Sequence, residues 1–116
     1  MNAVSKTRLL ALAAGHASAR RPLLAWHKAA RLAVWAMFAD VRATFGSADA
    51  VGDCVVFDIG GNNFRLVTRI RYPGRRVYVL RVMTHAEYDR DDWADDCGCY
   101  RPPPKRRRPG VRGADR

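Results

Sequence analysis

The sequence lacks any apolar run approaching the ~20 residues that cross a bilayer, so no membrane-spanning helix is expected. The alanine-rich stretch Leu9 to Ala14 follows Lys6 and Arg8, as a secretory leader would. It is too short for that role and is broken by Gly15-His16, with Arg20-Arg21 soon after, so that reading is rejected. Cysteine is scarce. Cys54, Cys97 and Cys99 are an odd number without framework spacing, which favours a reducing cytosol over a disulfide-stapled secreted fold. A cytoplasmic location is therefore expected. Cys97-Gly98-Cys99 has no second pair to complete a zinc site, so neither a metal nor a cofactor is expected. No internal repeat is present.

Acidic residues are also few. Against 11 Asp+Glu stand 21 Lys+Arg, a net charge of +10 in 116 residues. The chain through residue 94 holds 14 basic and 8 acidic residues, and the stretch from Asp95 holds 7 and 3. The basic excess thus belongs to the body as well as to the C-terminal stretch. Arginine dominates it, and a guanidinium suits planar, bidentate contacts to phosphate. A polyanionic partner follows, with nucleic acid ahead of membrane because no basic amphipathic helix with a large apolar face stands out.

What is present reads as one domain of α+β class. Met1 to Ser5 is a short strand or a disordered start. Ser5 sits where a helix N-cap belongs, ahead of the helix formers Lys6 to Ala14. Pro22 fits the first turn of a second helix, in which Leu23, Trp26, His27, Ala30 and Val34 recur at helical spacing. A third helical turn is expected over Ala39 to Thr44, before a loop spanning Gly46 and Gly52. From Asp53 the period becomes two: Cys54 to Ile59, Asn63 to Tyr72 and Val77 to Met83 read as strands. Gly60-Gly61-Asn62 and Pro73-Gly74 supply the turns between them. The expected architecture is an N-terminal helical hairpin packed on a small curved antiparallel sheet. Residues 1–94 form this domain; residues 95–116, rich in proline and arginine, read as a basic disordered tail.

The turn also predicts a register. With Pro73-Gly74 as a two-residue loop, Arg71 faces Arg76, Arg69 faces Tyr78, Val67 faces Leu80 and Arg65 faces Val82. Arg65, Arg69, Arg71, Arg76 and Tyr78 then share one face, while Leu66, Ile70, Val77 and Val79 pack on the helices. Like charges opposed across strands are destabilising, so an anion is the obvious reason for such a stripe, beside the plainer one of a solvated outer face.

Three stretches resemble a known family. They are Trp35-Ala36-Met37-Phe38-Ala39-Asp40-Val41-Arg42-Ala43-Thr44-Phe45, then Val56-Phe57-Asp58-Ile59-Gly60-Gly61-Asn62-Asn63-Phe64-Arg65-Leu66, then Thr84-His85-Ala86-Glu87-Tyr88-Asp89. Their order and spacing are similar to those of HigB toxins, members of the RelE/ParE-like group, over roughly Val4 to Trp93. The resemblance implies a RelE-like fold and the toxin of a toxin–antitoxin pair. It implies metal-independent cleavage of mRNA, on the translating ribosome, and neutralisation by a HigA-type helix-turn-helix antitoxin. Arg65 then binds phosphate, His85 is an acid or base, and Tyr88 stacks a base or relays a proton. Asn63, Arg69, Arg71, Arg76 and Arg81 are the expected RNA-binding residues. Gly60, Asn63 and Leu80 stand where relatives carry basic residues. The alternatives are an RNA- or ribosome-binding protein of the same fold without full nuclease chemistry, and a ParE-like inhibitor of gyrase.

Overall fold

The computed structural model describes residues 1, 3–61, 63–90 and 93–99. The expected tail beyond residue 99 lies outside them. Strand β1 (Ala3–Val4) leads into helix α1 (Lys6–Leu12), whose N-cap Ser5 accepts a hydrogen bond from the Arg8 amide as expected. A short 3-10 turn, Ala17–Ala19, precedes α2 (Arg20–Leu32). The apolar spacing of α2 buries Leu23, Trp26, His27 and Ala30 against the sheet. Val34 lies past the end of the helix and is exposed, which corrects its assignment to the apolar face. Helix α3 (Phe38–Thr44) completes the helical half.

The sheet contains β2 (Asp49–Val51), β3 (Cys54–Ile59), β4 (Phe64–Arg71) and β5 (Arg76–Thr84). Its order is β1-β5-β4-β3-β2, with β1 parallel to β5 and the other pairs antiparallel. The architecture is α+β as expected, though the sheet is mixed rather than purely antiparallel. One face packs on the helices. There Phe57 is the hub of an aromatic cluster, with Trp26 and Phe45 each at 5.2 Å and Trp35 at 6.2 Å between ring centroids. The two tryptophans are core residues. His27 also serves the fold, its Nε2 lying 3.0 Å from the Val4 carbonyl.

The β4–β5 register follows the turn arithmetic from Arg71↔Arg76 to Thr68↔Val79. It then shifts by one at a bulge, giving Val67↔Arg81 and Arg65↔Met83. The expected pairs Val67–Leu80 and Arg65–Val82 are thus corrected. The bulge brings Arg81 opposite Val67 on the Arg65 face, while Leu80 packs against the apolar cluster on that same face. At the hairpin tip the left-handed residue is Arg75, at φ 54°, rather than Gly74. A side chain in that region costs about 1 kcal/mol, so Arg75→Gly is expected to raise stability by roughly that amount in urea unfolding.

The other face of the sheet also packs. Helix α4 (His85–Asp89) follows β5 directly, and α5 (Trp93–Asp96) follows it. Trp93, Ala94 and Cys99 cover Cys54, Val56, Val67 and Met83 in a second apolar cluster. A disulfide joins Cys54 to Cys99, and Cys97 is a free thiol. Residues 95–99, read from the sequence as the start of the tail, belong to the packed body. The cysteine spacing, which favoured a fold without disulfides, did not anticipate this pair. Cysteines 45 positions apart pair only because the chain folds back across β3. No helix among the described residues is long and apolar enough to cross a membrane.

Candidate active site

Three segments meet at one end of the sheet: the β3–β4 turn, the start of β4, and α4. The turn reverses tightly because Gly60 and Gly61 both take left-handed backbone, at φ 63° and 70°. At φ 63° a side chain at position 60 would be strained, which glycine avoids. Asn63 then accepts a backbone hydrogen bond from the His85 amide at 3.2 Å, which ties the turn to α4. Thr84 and Glu87 close a capping box at the start of α4, the Thr84 hydroxyl accepting from the Glu87 amide and the Glu87 carboxylate from the Thr84 amide. This box fixes the direction in which His85 and Tyr88 leave the helix.

Arg65 is the centre of the arrangement and is only 7% exposed. Its Nε lies 3.1 Å from Asp58, its cross-strand partner on β3. Nη1 donates to the Phe64 carbonyl at 3.2 Å, and Nη2 lies 3.1 Å from His85 Nδ1. The guanidinium carbon lies over the Tyr88 ring, 5.2 Å from its centroid. A guanidinium can only donate, so His85 Nδ1 must accept and the neutral imidazole carries its proton on Nε2. That nitrogen faces Asp89, with Nε2 and Oδ2 3.4 Å apart. His85 and Asp89 are exposed, so the buried cation meets solvent through the imidazole.

Arg65, His85 and Tyr88 are therefore brought together. Asn63 borders them and is exposed. The other arginines stand elsewhere. At about 3.3 Å per residue, Arg69 lies ~13 Å and Arg71 ~20 Å along β4 from Arg65. Arg71 and Arg76 are exposed cross-strand partners at the hairpin tip. Arg69 donates to the Gly98 carbonyl, and Arg81 faces Asp96 at 3.8 Å. The arginine stripe is consequently not open along its length, because Trp93 and its neighbours cover the middle. Two residues of the site were missed in the sequence. Asp58 read as one polar position of an alternating strand, and Trp93 as the end of the domain. Trp93 stacks on Tyr88 at 5.1 Å and 22°, and its indole N–H donates to the Tyr88 carbonyl at 2.9 Å.

The capping box has a measurable signature. Thr84→Ala is expected to cost about 1 kcal/mol in denaturant unfolding. The hydrogen bond from the Thr84 amide holds the Glu87 carboxyl below the usual carboxylate range. A depressed folded pKa contributes stability above the unfolded pKa, and that contribution is lost as pH falls through the folded one. Protection of the α4 amides, taken relative to their intrinsic exchange rates, should thus fall selectively in acid, and Thr84→Ala should remove the selectivity.

Comparison with known proteins places the chain in a family. Residues 19–91 match the family model described as HigB_toxin, RelE-like toxic component of a toxin-antitoxin system. An mRNA interferase HigB of Escherichia coli strain CFT073 is 43% identical over 35 residues, 30% of this chain and 34% of that protein. The mRNA interferase toxin HigB of Escherichia coli strain K12 and an mRNA interferase HigB of Shigella flexneri are each 44% identical over 34 residues. Those matches cover 29% of this chain and 33% of each relative, so the chain spans about a third of the length of the curated relatives it matches. The family match extends over β3, β4, β5 and α4, the elements that build the Arg65 site. This chain belongs to the HigB toxin family, the RelE-like toxic components of toxin–antitoxin systems.

Proposed function

We propose that the protein is an endoribonuclease that cleaves mRNA on the translating ribosome, using Arg65, His85 and Tyr88 without a metal. The observation that carries this reading is the contact between Arg65 Nη2 and His85 Nδ1. Cleavage by the RNA's own 2′-hydroxyl needs a base for that proton, an acid for the leaving 5′-oxygen, and positive charge on the phosphate. In the free protein Arg65 occupies the acceptor nitrogen of His85. An incoming phosphate competes for the same guanidinium edge. As Arg65 turns to the phosphate it releases Nδ1, which then takes the 2′-hydroxyl proton, while Asp89 steadies the imidazolium at Nε2. Base and electrophile are thus unmasked by one substrate group. The Trp93 indole and the Arg65 guanidinium both lie against the Tyr88 ring, which favours the phenol over a base-stacking role: its hydroxyl gives a proton to the leaving 5′-oxygen and is reprotonated from the His85 imidazolium.

Asn63 would contact the RNA beside the reacting phosphate and Arg71 and Arg76 farther along the backbone, whereas Arg69 and Arg81, held by Gly98 and Asp96, would do so only once those contacts open. The partner in the resting cell is a HigA-type helix-turn-helix antitoxin. Induced expression in bacteria, followed by transcriptome-wide mapping of RNA 5′ ends, tests the reading. The wild type should arrest growth and cut mRNA within coding regions, and His85→Ala and Tyr88→Ala should each abolish the cuts. Growth arrest without cuts, or cuts indifferent to both substitutions, would defeat it.

A further inference from the structure

The segment from Trp93 to Cys99 lies across the face of the sheet that carries the arginines. Trp93, Ala94 and Cys99 are buried there. Its polar ties are the Asp53 amide to the Cys99 carbonyl, the Arg69 guanidinium to the Gly98 carbonyl, and Asp96 beside Arg81. Its covalent tie is Cys54–Cys99. At the other end of the segment the Trp93 ring supports Tyr88, on which the Arg65 guanidinium also rests.

We propose that residues 93–99 are a redox-set clasp: the Cys54–Cys99 disulfide seats Trp93 under Tyr88, and its reduction by a dithiol loosens the site. The proposal rests on the reading of Arg65, His85 and Tyr88 as the RNA-cleaving group. Trp93 is a positioning residue in it. The chemistry is thiol–disulfide exchange with an external dithiol of the thioredoxin class. One thiolate of the reductant attacks a sulfur of Cys54–Cys99 to form a mixed disulfide, and its second thiol displaces the protein. The reductant leaves as its own disulfide, and Cys54 and Cys99 take up the two electrons and two protons as thiols. Both half-cystines are buried, so the reductant reaches them only when the clasp lifts. Burial pushes the Cys97 thiol up, which keeps this third cysteine from competing as a thiolate.

The two states differ in a specific way. With the clasp closed, Tyr88 is held, while Arg69 and Arg81 are engaged by Gly98 and Asp96. With it open, Tyr88 loses its support and two guanidiniums are released towards phosphate. Reduction should thus lower kcat and leave KM unchanged or lower. A disulfide that merely stabilised the fold would not produce that split in folded protein.

The test uses the full chain, oxidised or treated with dithiothreitol, together with the Cys54→Ser/Cys99→Ser double variant and Trp93→Phe. The Trp93 indole N–H is followed by NMR, assigned through its loss in Trp93→Phe, and cleavage of a ribosome-bound mRNA is measured in parallel. Reduction is expected to shift that resonance, speed its solvent exchange about 10-fold and cut kcat by about 10-fold, with no rise in KM. The double-serine variant should match the reduced protein and ignore dithiothreitol. Trp93→Phe serves only to assign the resonance. An indole resonance unmoved by reduction overturns the clasp, as does a shifted resonance with kcat unchanged. A shifted resonance with no cleavage in either state overturns the reading of the site instead.

Discussion

Arg65→Ala is expected to lower RNA cleavage by about 10²–10³-fold, the loss that follows removal of one preorganised donor to a developing charge. It should also cost about 2–3 kcal/mol of stability. The second figure follows from what Arg65 holds. Its buried guanidinium bridges Asp58 on β3, the Phe64 carbonyl on β4 and His85 on α4. Deletion leaves Asp58 without its cross-strand cation, and partial exposure of that carboxylate, 31% for the side chain, keeps the cost below that of a fully buried pair. Arg65→Lys separates the two effects. An ammonium keeps the charge but lacks the fork that reaches three partners at once, so stability should largely return while cleavage stays impaired. Urea unfolding and cleavage assays on the same preparations check both. A Lys variant with wild-type activity would show that the charge alone suffices and that the geometry around His85 is incidental.

Trp93→Ala is the substitution with the largest expected effect on the fold, about 3–5 kcal/mol. Trp93 is 2% exposed and covers Val56, Val67 and Met83. Truncation opens a cavity on the face of the sheet away from the helices, and it removes the hydrogen bond to the Tyr88 carbonyl. By contrast Leu32→Ala, at a position 77% exposed, should change stability by less than about 0.5 kcal/mol. The disulfide adds to the same closure, since a link across 45 residues is worth about 4 kcal/mol in the chain-entropy account. Unfolding midpoints under oxidising and reducing conditions measure both. A loss of under about 1 kcal/mol on Trp93→Ala would mean that α5 only rests on the sheet.

The elements most legible in the sequence were those with a long period of their own. Ser5 as an N-cap, the apolar spacing of α2 and the alternation in β3 and β4 each specify their structure locally. Strand β2 was hidden because Asp49–Val51 is too short to alternate and exists only through its pairing with β3. The bulge was hidden for a related reason: the pattern from Val77 to Met83 is compatible with either register, and only the packed sheet selects one. Within the site, Arg65, His85 and Tyr88 came from motif order. Asp58 did not, because a carboxylate on a strand reads as solvated until its cross-strand neighbour is known. The clasp was least legible of all. Its apolar content is a few side chains among aspartates, and the pairing of Cys99 with Cys54 is a fact of three dimensions.

The central claim is that Arg65 and His85 activate the RNA's own 2′-hydroxyl, and the chemistry of the cut ends tests it most directly. Ribosomes translating a defined mRNA are treated with the purified protein, and the fragment ends are identified by end-specific ligation and mass spectrometry. The account predicts 5′-hydroxyl ends paired with 2′,3′-cyclic phosphates, absent with Arg65→Ala. Ends bearing 5′-phosphate and 3′-hydroxyl, or an mRNA left intact by folded wild-type protein, would contradict it.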